Sequence, residues 1–238
     1  MSEDVRDRLA RIRDQIARTA ERAGRRPEEI TLIAVTKTFG PVTVQRAVDA
    51  GARDLGENRV QEALTKVPAV KGDGLRWHLI GHLQSNKARQ AVTLFDVIHS
   101  VDSASLVEKL DRIAGELGRK TAVLVQVDLG HEASKTGARE QELPAILDSL
   151  ARAANLDFIG LMTLPPLFDN PENARPYFRR LREIQNEVNR SLPAERQIRE
   201  LSMGMSHDFE VAIEEGATMV RVGTAIFGAR TSRVGIDS

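Results

Sequence analysis

The 238-residue sequence contains no cysteine. That excludes a disulfide framework, a thiolate nucleophile and any Cys-ligated zinc or iron–sulfur centre. It also lacks an excess of charge: 34 basic side chains balance 34 acidic ones, so no global field draws nucleic acid or an anionic membrane. No apolar run is long enough to span a bilayer, and the charged start MSEDVRDRLARIRD has no signal-peptide core. Cytoplasmic residence is therefore expected. No Ser-, Gly- or Pro-rich linker and no shift in composition divides the chain, which reads as one domain over residues 1–238. With 41% hydrophobic and 29% charged residues, that domain can bury one substantial core.

What is present is an alternation of helical and strand-like spacing. Val5, Leu9, Ile12 and Ile16 recur at helical intervals and predict an amphipathic first helix ending near Gly24. Short apolar runs follow, around residues 30–36, 53–55, 77–80, 95–99, 122–128, 158–162, 198–202 and 218–222, with helical patterns between them. Eight such units in a chain near the typical length predict a closed (β/α)8 barrel preceded by an extra helix, with an open doubly wound sheet as the structural alternative. There is a faint internal echo: Ala47-Val48-Asp49-Ala50-Gly51-Ala52 resembles Ala212-Ile213-Glu214-Glu215-Gly216-Ala217.

The chemistry-bearing residues fall at strand ends. Lys37 ends the run Ile30–Thr36, where partial burial favours the neutral amine, a nucleophile able to form a Schiff base with a carbonyl. After the seventh strand, Ser202-Met203-Gly204-Met205-Ser206 leads into a helix, with Ser206 readable as an N-cap or as an anion-binding hydroxyl. After the eighth, Gly223 and Thr224 open a second short helix. Asp208 and Glu210 add negative charge beside the first of these sites, which suits a phosphate only if they point away. Arg221 interrupts an apolar strand on the face shared with Met219 and Gly223, so it must meet a carboxylate or a polar ligand. A lysine, an arginine and a double phosphate cradle at one mouth describe a site for a phosphorylated aldehyde, with pyridoxal 5′-phosphate (PLP) the foremost candidate.

Ala34–Thr38, Gly56–Glu62, Trp77–Lys87, Gly160–Thr163 and above all Leu201–Arg230 make the chain resemble the YggS/PROSC family of PLP homeostasis proteins. The resemblance implies a barrel akin to the N-terminal domain of alanine racemase, with PLP on Lys37 as a Schiff base. It implies Arg221 at the pyridine nitrogen, Ser206, Gly223 and Thr224 at the phosphate, and Asn58, Met203 and Gly204 lining the site.

An arginine at the pyridine nitrogen can only donate, which favours an unprotonated ring and a weak electron sink. The single tyrosine, Tyr177, lies inside a predicted helix and reads as a packing residue. The expectation is thus a PLP carrier or buffer that serves PLP-dependent apoenzymes, with no catalytic residue and no robust activity. It would be monomeric and bind neither nucleic acid nor membrane. A PLP-dependent amino-acid racemase is the alternative, and a Schiff-base aldolase a further one. His78 and His82 lie on a strand and the turn after it, so no metal site is expected. Lys135 is a candidate exit residue for PLP, and Lys87 a weaker one.

Overall fold

In the computed structural model, which describes residues 4–130 and 136–228, the first helix is α1 (Val5–Arg22). It buries Leu9, Ile12, Ile16 and Ala20 at helical spacing, and Asp4 caps it by accepting from the Asp7 amide at 3.0 Å. Strands and helices then alternate: β1 (Thr31–Val35), α2 (Pro41–Asp49), β2 (Asp54–Glu57), α3 (Val60–Lys66), β3 (Arg76–Leu79) and α4 (Ala88–Leu94). The series continues through β4 (Val97–Val101), α5 (Ala104–Glu116), β5 (Thr121–Gln126), α6 (Leu143–Arg152), β6 (Leu156–Met162) and α7 (Arg175–Ser191). It ends with β7 (Glu200–Met205), α8 (Phe209–Glu214), β8 (Met219–Val222) and α9 (Thr224–Phe227). Each strand pairs in parallel with the next and β8 returns to β1, closing the barrel that the alternation predicts and excluding an open sheet.

Two buried clusters follow from this closure. The larger joins the outward faces of the strands to the helices and includes Phe95, Leu110 and Phe178. The smaller, Ile33, Val97, Leu124, Met162 and Met219, has its buried members on strands alone and fills part of the barrel interior. Period-two alternation carries that inner face from Val97 to His99 and from Met219 to Arg221, so this cluster gives way to polar groups toward the carboxyl ends.

Helix ends follow the sequence closely, with one correction. The internal echo is real: Gly51 and Gly216 both adopt left-handed φ, at 97° and 104°, and Ala52 and Ala217 donate back to Ala47 and Ala212 at 2.9 Å. Ser206, however, does not cap α8; Asp208 occupies that position, and its Oδ1 turns back to accept the Met205 amide at 2.6 Å. Asn170 and Pro171 open a separate 3-10 turn, Pro171–Ala174, because the Asn170 side chain accepts from Glu172, and α7 itself starts at Arg175.

The extra helix and the residues just after it serve the barrel with cations. Arg8 donates to the Ile226 carbonyl at 2.6 Å, Arg13 to that of Gly51 at 2.7 Å, and Arg25 to those of Ile213 at 3.0 Å and Ala217 at 2.7 Å. These carbonyls end α9, α2 and α8, where helices leave acceptors unpaired and carry partial negative charge.

Buried Glu215, just past α8, accepts ion pairs from Arg175 and Arg179 at 3.1 Å and from Arg182 at 3.3 Å. Burial pushes its carboxyl up, but the arginines outweigh this and hold it below the ordinary 4.5. A depressed carboxylate stabilises the fold above its unfolded value and loses that contribution as the pH falls through its folded value. Glu215→Gln is therefore expected to lower Tm at pH 7 and to flatten the dependence of Tm on pH below 4.5, as read by thermal melts across that range.

Candidate functional site

The carboxyl ends of the strands bring the site together. On β1, alternation turns Ile33 and Val35 inward, and Lys37 stands half-buried in the turn that follows, two residues past the carboxyl end of the strand. Ile33 pairs with Arg221 across the β1–β8 seam, and a Cβ on Gly223 would come within 3.3 Å of the Val35 Cβ. A side chain there would have to push Val35 back by a few tenths of an ångström, so glycine suits the close approach of the two strands.

The segment holding Lys37 is strained and pinned. Thr38, a β-branched residue, sits at a φ of 70°, a conformation such residues rarely adopt. Its amide donates to Glu62 Oε2 at 2.7 Å, while the Thr36 carbonyl accepts from Lys66 Nζ at 2.8 Å. Lys66 also pairs with Glu57 Oε1 at 2.7 Å and Glu62 Oε2 at 3.1 Å, and the Thr36 hydroxyl donates to Glu57. Lys66 is only 4% exposed and Glu57 wholly buried. Burial pushes the Glu57 carboxyl up against the opposing pull of Lys66 and Thr36, and its Oε2 has no hydrogen-bond partner. Glu62 is shifted down: burial raises it, but the Thr38 amide and Lys66 outweigh that. The clamp fixes the residues on either side of Lys37.

Next to it, at the end of β8 and in the loop after β7, the phosphate-type donors converge. Gly223 N donates to Ser206 Oγ at 3.2 Å, and Thr224 Oγ1 lies 3.4 Å from the same oxygen. Asp208 is occupied by the Met205 amide, and Glu210 turns away to Arg22 on α1 at 3.2 Å, so neither carboxylate opposes an anion there. Gly204 has a left-handed φ of 89°, and a Cβ on it would meet the Ala212 Cβ at 2.6 Å. Met203 is buried in the outer core, and the Asn58 backbone packs on Gly81, where a Cβ would lie 2.3 Å from the Asn58 carbonyl.

Arg221 is buried, donates to Ser202 Oγ at 2.6 Å and to the Thr163 carbonyl at 2.9 Å, and has no carboxylate within ion-pair distance among the described residues. Burial pulls it down to about 10, against a smaller opposing pull from Asp208, and leaves it cationic at neutral pH. A buried cation with only neutral hydrogen-bond partners, on the strand that leads into three clustered donors and pairs with the strand before Lys37, fits a phosphorylated ligand with an electron-rich ring atom.

Sequence reasoning brings Lys37, Ser206, Arg221, Gly223 and Thr224 to this mouth and misses the groups behind them. Lys66 follows the buried positions Val60 and Ala63 at three-residue spacing, so a lysine on an apolar helix face was the signal. His99 carries a similar one, being polar on the inner face of β4. Lys87 is half-buried at the end of the turn Ser85–Lys87. His82 stands at the rim, 3.5 Å from Asp102. Lys135 lies outside the described residues. No group of three or more potential metal ligands exists among the described residues.

Comparison with known proteins places this geometry. Residues 8–231 match the alanine racemase N-terminal domain family. The pyridoxal phosphate homeostasis proteins of Aquifex aeolicus and Escherichia coli K12 are 42% and 40% identical, over 94% and 95% of this chain and 97% of each of theirs. PipY of Synechococcus elongatus PCC7942, solved with PLP bound, superposes with a TM-score of 0.83 at 41% identity, covering 94% of this chain and 100% of that one. Alanine racemase of Clostridium difficile 630, at 19% identity and a TM-score of 0.74 over 97% of this chain and 60% of its own, shares the fold. The chain thus belongs to the alanine racemase N-terminal domain family and, within it, to the pyridoxal phosphate homeostasis proteins.

Proposed function

We propose that the chain holds PLP in the barrel mouth and buffers or delivers it, without turning over a substrate of its own. The observation that carries this reading is the gathering of Ser206 Oγ, Gly223 N and Thr224 Oγ1 at the end of β8, the strand that carries buried Arg221 and pairs with the β1 strand leading to Lys37. The names of the relatives and the PLP-bound PipY support the choice of ligand.

In this reading the Lys37 amine would hold the aldehyde carbon of PLP covalently, and the Glu57–Lys66–Glu62 clamp fixes the backbone on either side of it. Ser206, Gly223 and Thr224 would hold the phosphate, Arg221 the ring nitrogen, and Asn58 and the backbone of Met203 and Gly204 would shape the walls, the Met203 side chain being turned into the outer core. Once bound, the group supplies an electrophilic carbon conjugated to a pyridine ring. A guanidinium beside the ring nitrogen donates and never accepts, which leaves that nitrogen unprotonated and the ring a poor electron sink. Tyr177, the one tyrosine of the sequence, packs its ring 5.8 Å from that of Phe168, which makes it a poor candidate for a proton-transfer base. Both features favour holding over catalysis. The recipients are PLP-dependent apoenzymes, met by a cytoplasmic monomer.

The test is transfer. Protein loaded with PLP, desalted and mixed with an apo PLP-dependent enzyme is expected to restore that enzyme's activity. Loss of all PLP on desalting, or multiple turnovers of an amino acid by the protein alone, would overturn the proposal.

A further inference from the structure

Five polar side chains stand in single file inside the barrel. Asp54 Oδ1 lies 2.9 Å from His78 Nε2, His78 Nδ1 2.9 Å from His99 Nε2, His99 Nδ1 2.9 Å from Ser202 Oγ, and Arg221 Nη1 2.6 Å from that same oxygen. His78, His99 and Ser202 are wholly buried. The file begins on the first residue of β2, where Asp54 also meets Arg76 at 2.7 Å, and ends two residues before Gly223 at the mouth.

The two ends fix its direction. A guanidinium only donates, so Ser202 Oγ accepts from Arg221 and has one hydrogen of its own to give. Burial raises the Asp54 carboxyl, but His78 and Arg76 outweigh this and hold it below its ordinary 3.8, so at neutral pH it only accepts. His78 therefore carries its hydrogen on Nε2. With one hydrogen on each ring, its Nδ1 then accepts from His99 Nε2, which leaves His99 Nδ1 to accept from Ser202. Four contacts then take four hydrogens, all pointing from Arg221 toward Asp54. Burial above all opposes a charge on His99. A layer of this kind is costly where branched apolar side chains would fill a barrel more cheaply.

We propose that His99 and His78 are positioning residues for Arg221, orienting through Ser202 the guanidinium assigned to the PLP ring nitrogen. Each bond polarises the next, so Ser202 is a stronger acceptor for Arg221 when its own hydrogen is engaged by His99. The proposal rests on the reading of the mouth as a PLP site.

Three substitutions in the full chain and one measurement on the parent test it. Long-range proton–nitrogen NMR of histidine-labelled parent, without PLP, is expected to show His78 and His99 neutral with hydrogen on Nε2. A hydrogen on Nδ1 of either ring, or an imidazolium at pH 7, overturns the relay whether or not any variant folds. With PLP, His99→Leu is expected to weaken binding about tenfold, the loss of one hydrogen bond to a charged network, and to move the visible band. His99→Asn, whose side-chain oxygen can replace Nδ1 as the acceptor for Ser202, is expected to restore both to near parent values. Asp54→Asn should keep the direction of the file and so bind PLP within about twofold of the parent, less than the ~1.4 kcal/mol of a tenfold change. Parent-like binding and spectrum in folded His99→Leu would overturn the proposal and leave the PLP site intact. A parent that takes up no PLP would instead overturn the reading of the mouth, and the proposal with it.

Discussion

Lys66→Met is expected to destabilise the protein by about 3–5 kcal/mol, the cost of leaving buried carboxylate without its partner, and to lower Tm by on the order of 10 °C. Lys66 Nζ is the one side-chain cation within 4 Å of both Glu57 and Glu62 among the described residues, and it also satisfies the Thr36 carbonyl. Without it Glu57 keeps only the Thr36 hydroxyl in a fully buried place, and burial already pushes that carboxyl up. The double variant Lys66→Met/Glu57→Gln should recover more than half of the loss, because the uncompensated charge is gone. Thermal and denaturant melts of both variants check this. A single variant within about 1 kcal/mol of the parent would mean that the pair contributes no more than an exposed one. Because the same amine holds the backbone before Lys37, the single variant should also retain less PLP after desalting.

Gly204→Ala is the second large effect. Alanine at a φ of 89° costs about 1–2 kcal/mol in backbone strain. Its Cβ would lie 2.6 Å from the Ala212 Cβ and 2.9 Å from the Phe209 Cα, contacts that a rigid strand–helix junction relieves only at about 1–3 kcal/mol. The sum is roughly 2–5 kcal/mol, and relief by moving the loop displaces Ser206, two residues on. Lower Tm and weaker PLP retention should therefore appear together. Normal stability with normal retention would show that the junction yields freely and that the phosphate cradle does not depend on it.

Much of this fold is legible in the sequence because parallel strands buried on both faces leave short apolar runs, and each run is followed by helical spacing. The Gly51 and Gly216 helix ends are legible for the same local reason, since a left-handed residue there selects glycine. Ser206 illustrates the limit. Asp208, two residues on, is as good a cap by residue type, and the bond from the Met205 amide to Asp208, a matter of loop geometry, accompanies the choice of Asp208. Lys37, Arg221, Gly223 and Thr224 stand out as polar or small residues at the ends of apolar strands. Their supports do not, because Lys66, Glu57, His78 and His99 meet only when β2, β3, β4 and α3 have closed around them. A lysine on a helix looks solvated until its neighbours are known.

The most direct test of the PLP site is borohydride reduction of the PLP-loaded protein followed by peptide mass mapping. Reduction turns the covalent bond into a stable secondary amine, and the pyridoxyl label is expected on the peptide carrying Lys37 and to be absent from Lys37→Ala. A label on Lys66, Lys87 or Lys135 with Lys37 unmodified, or no label on any lysine, would contradict the assignment.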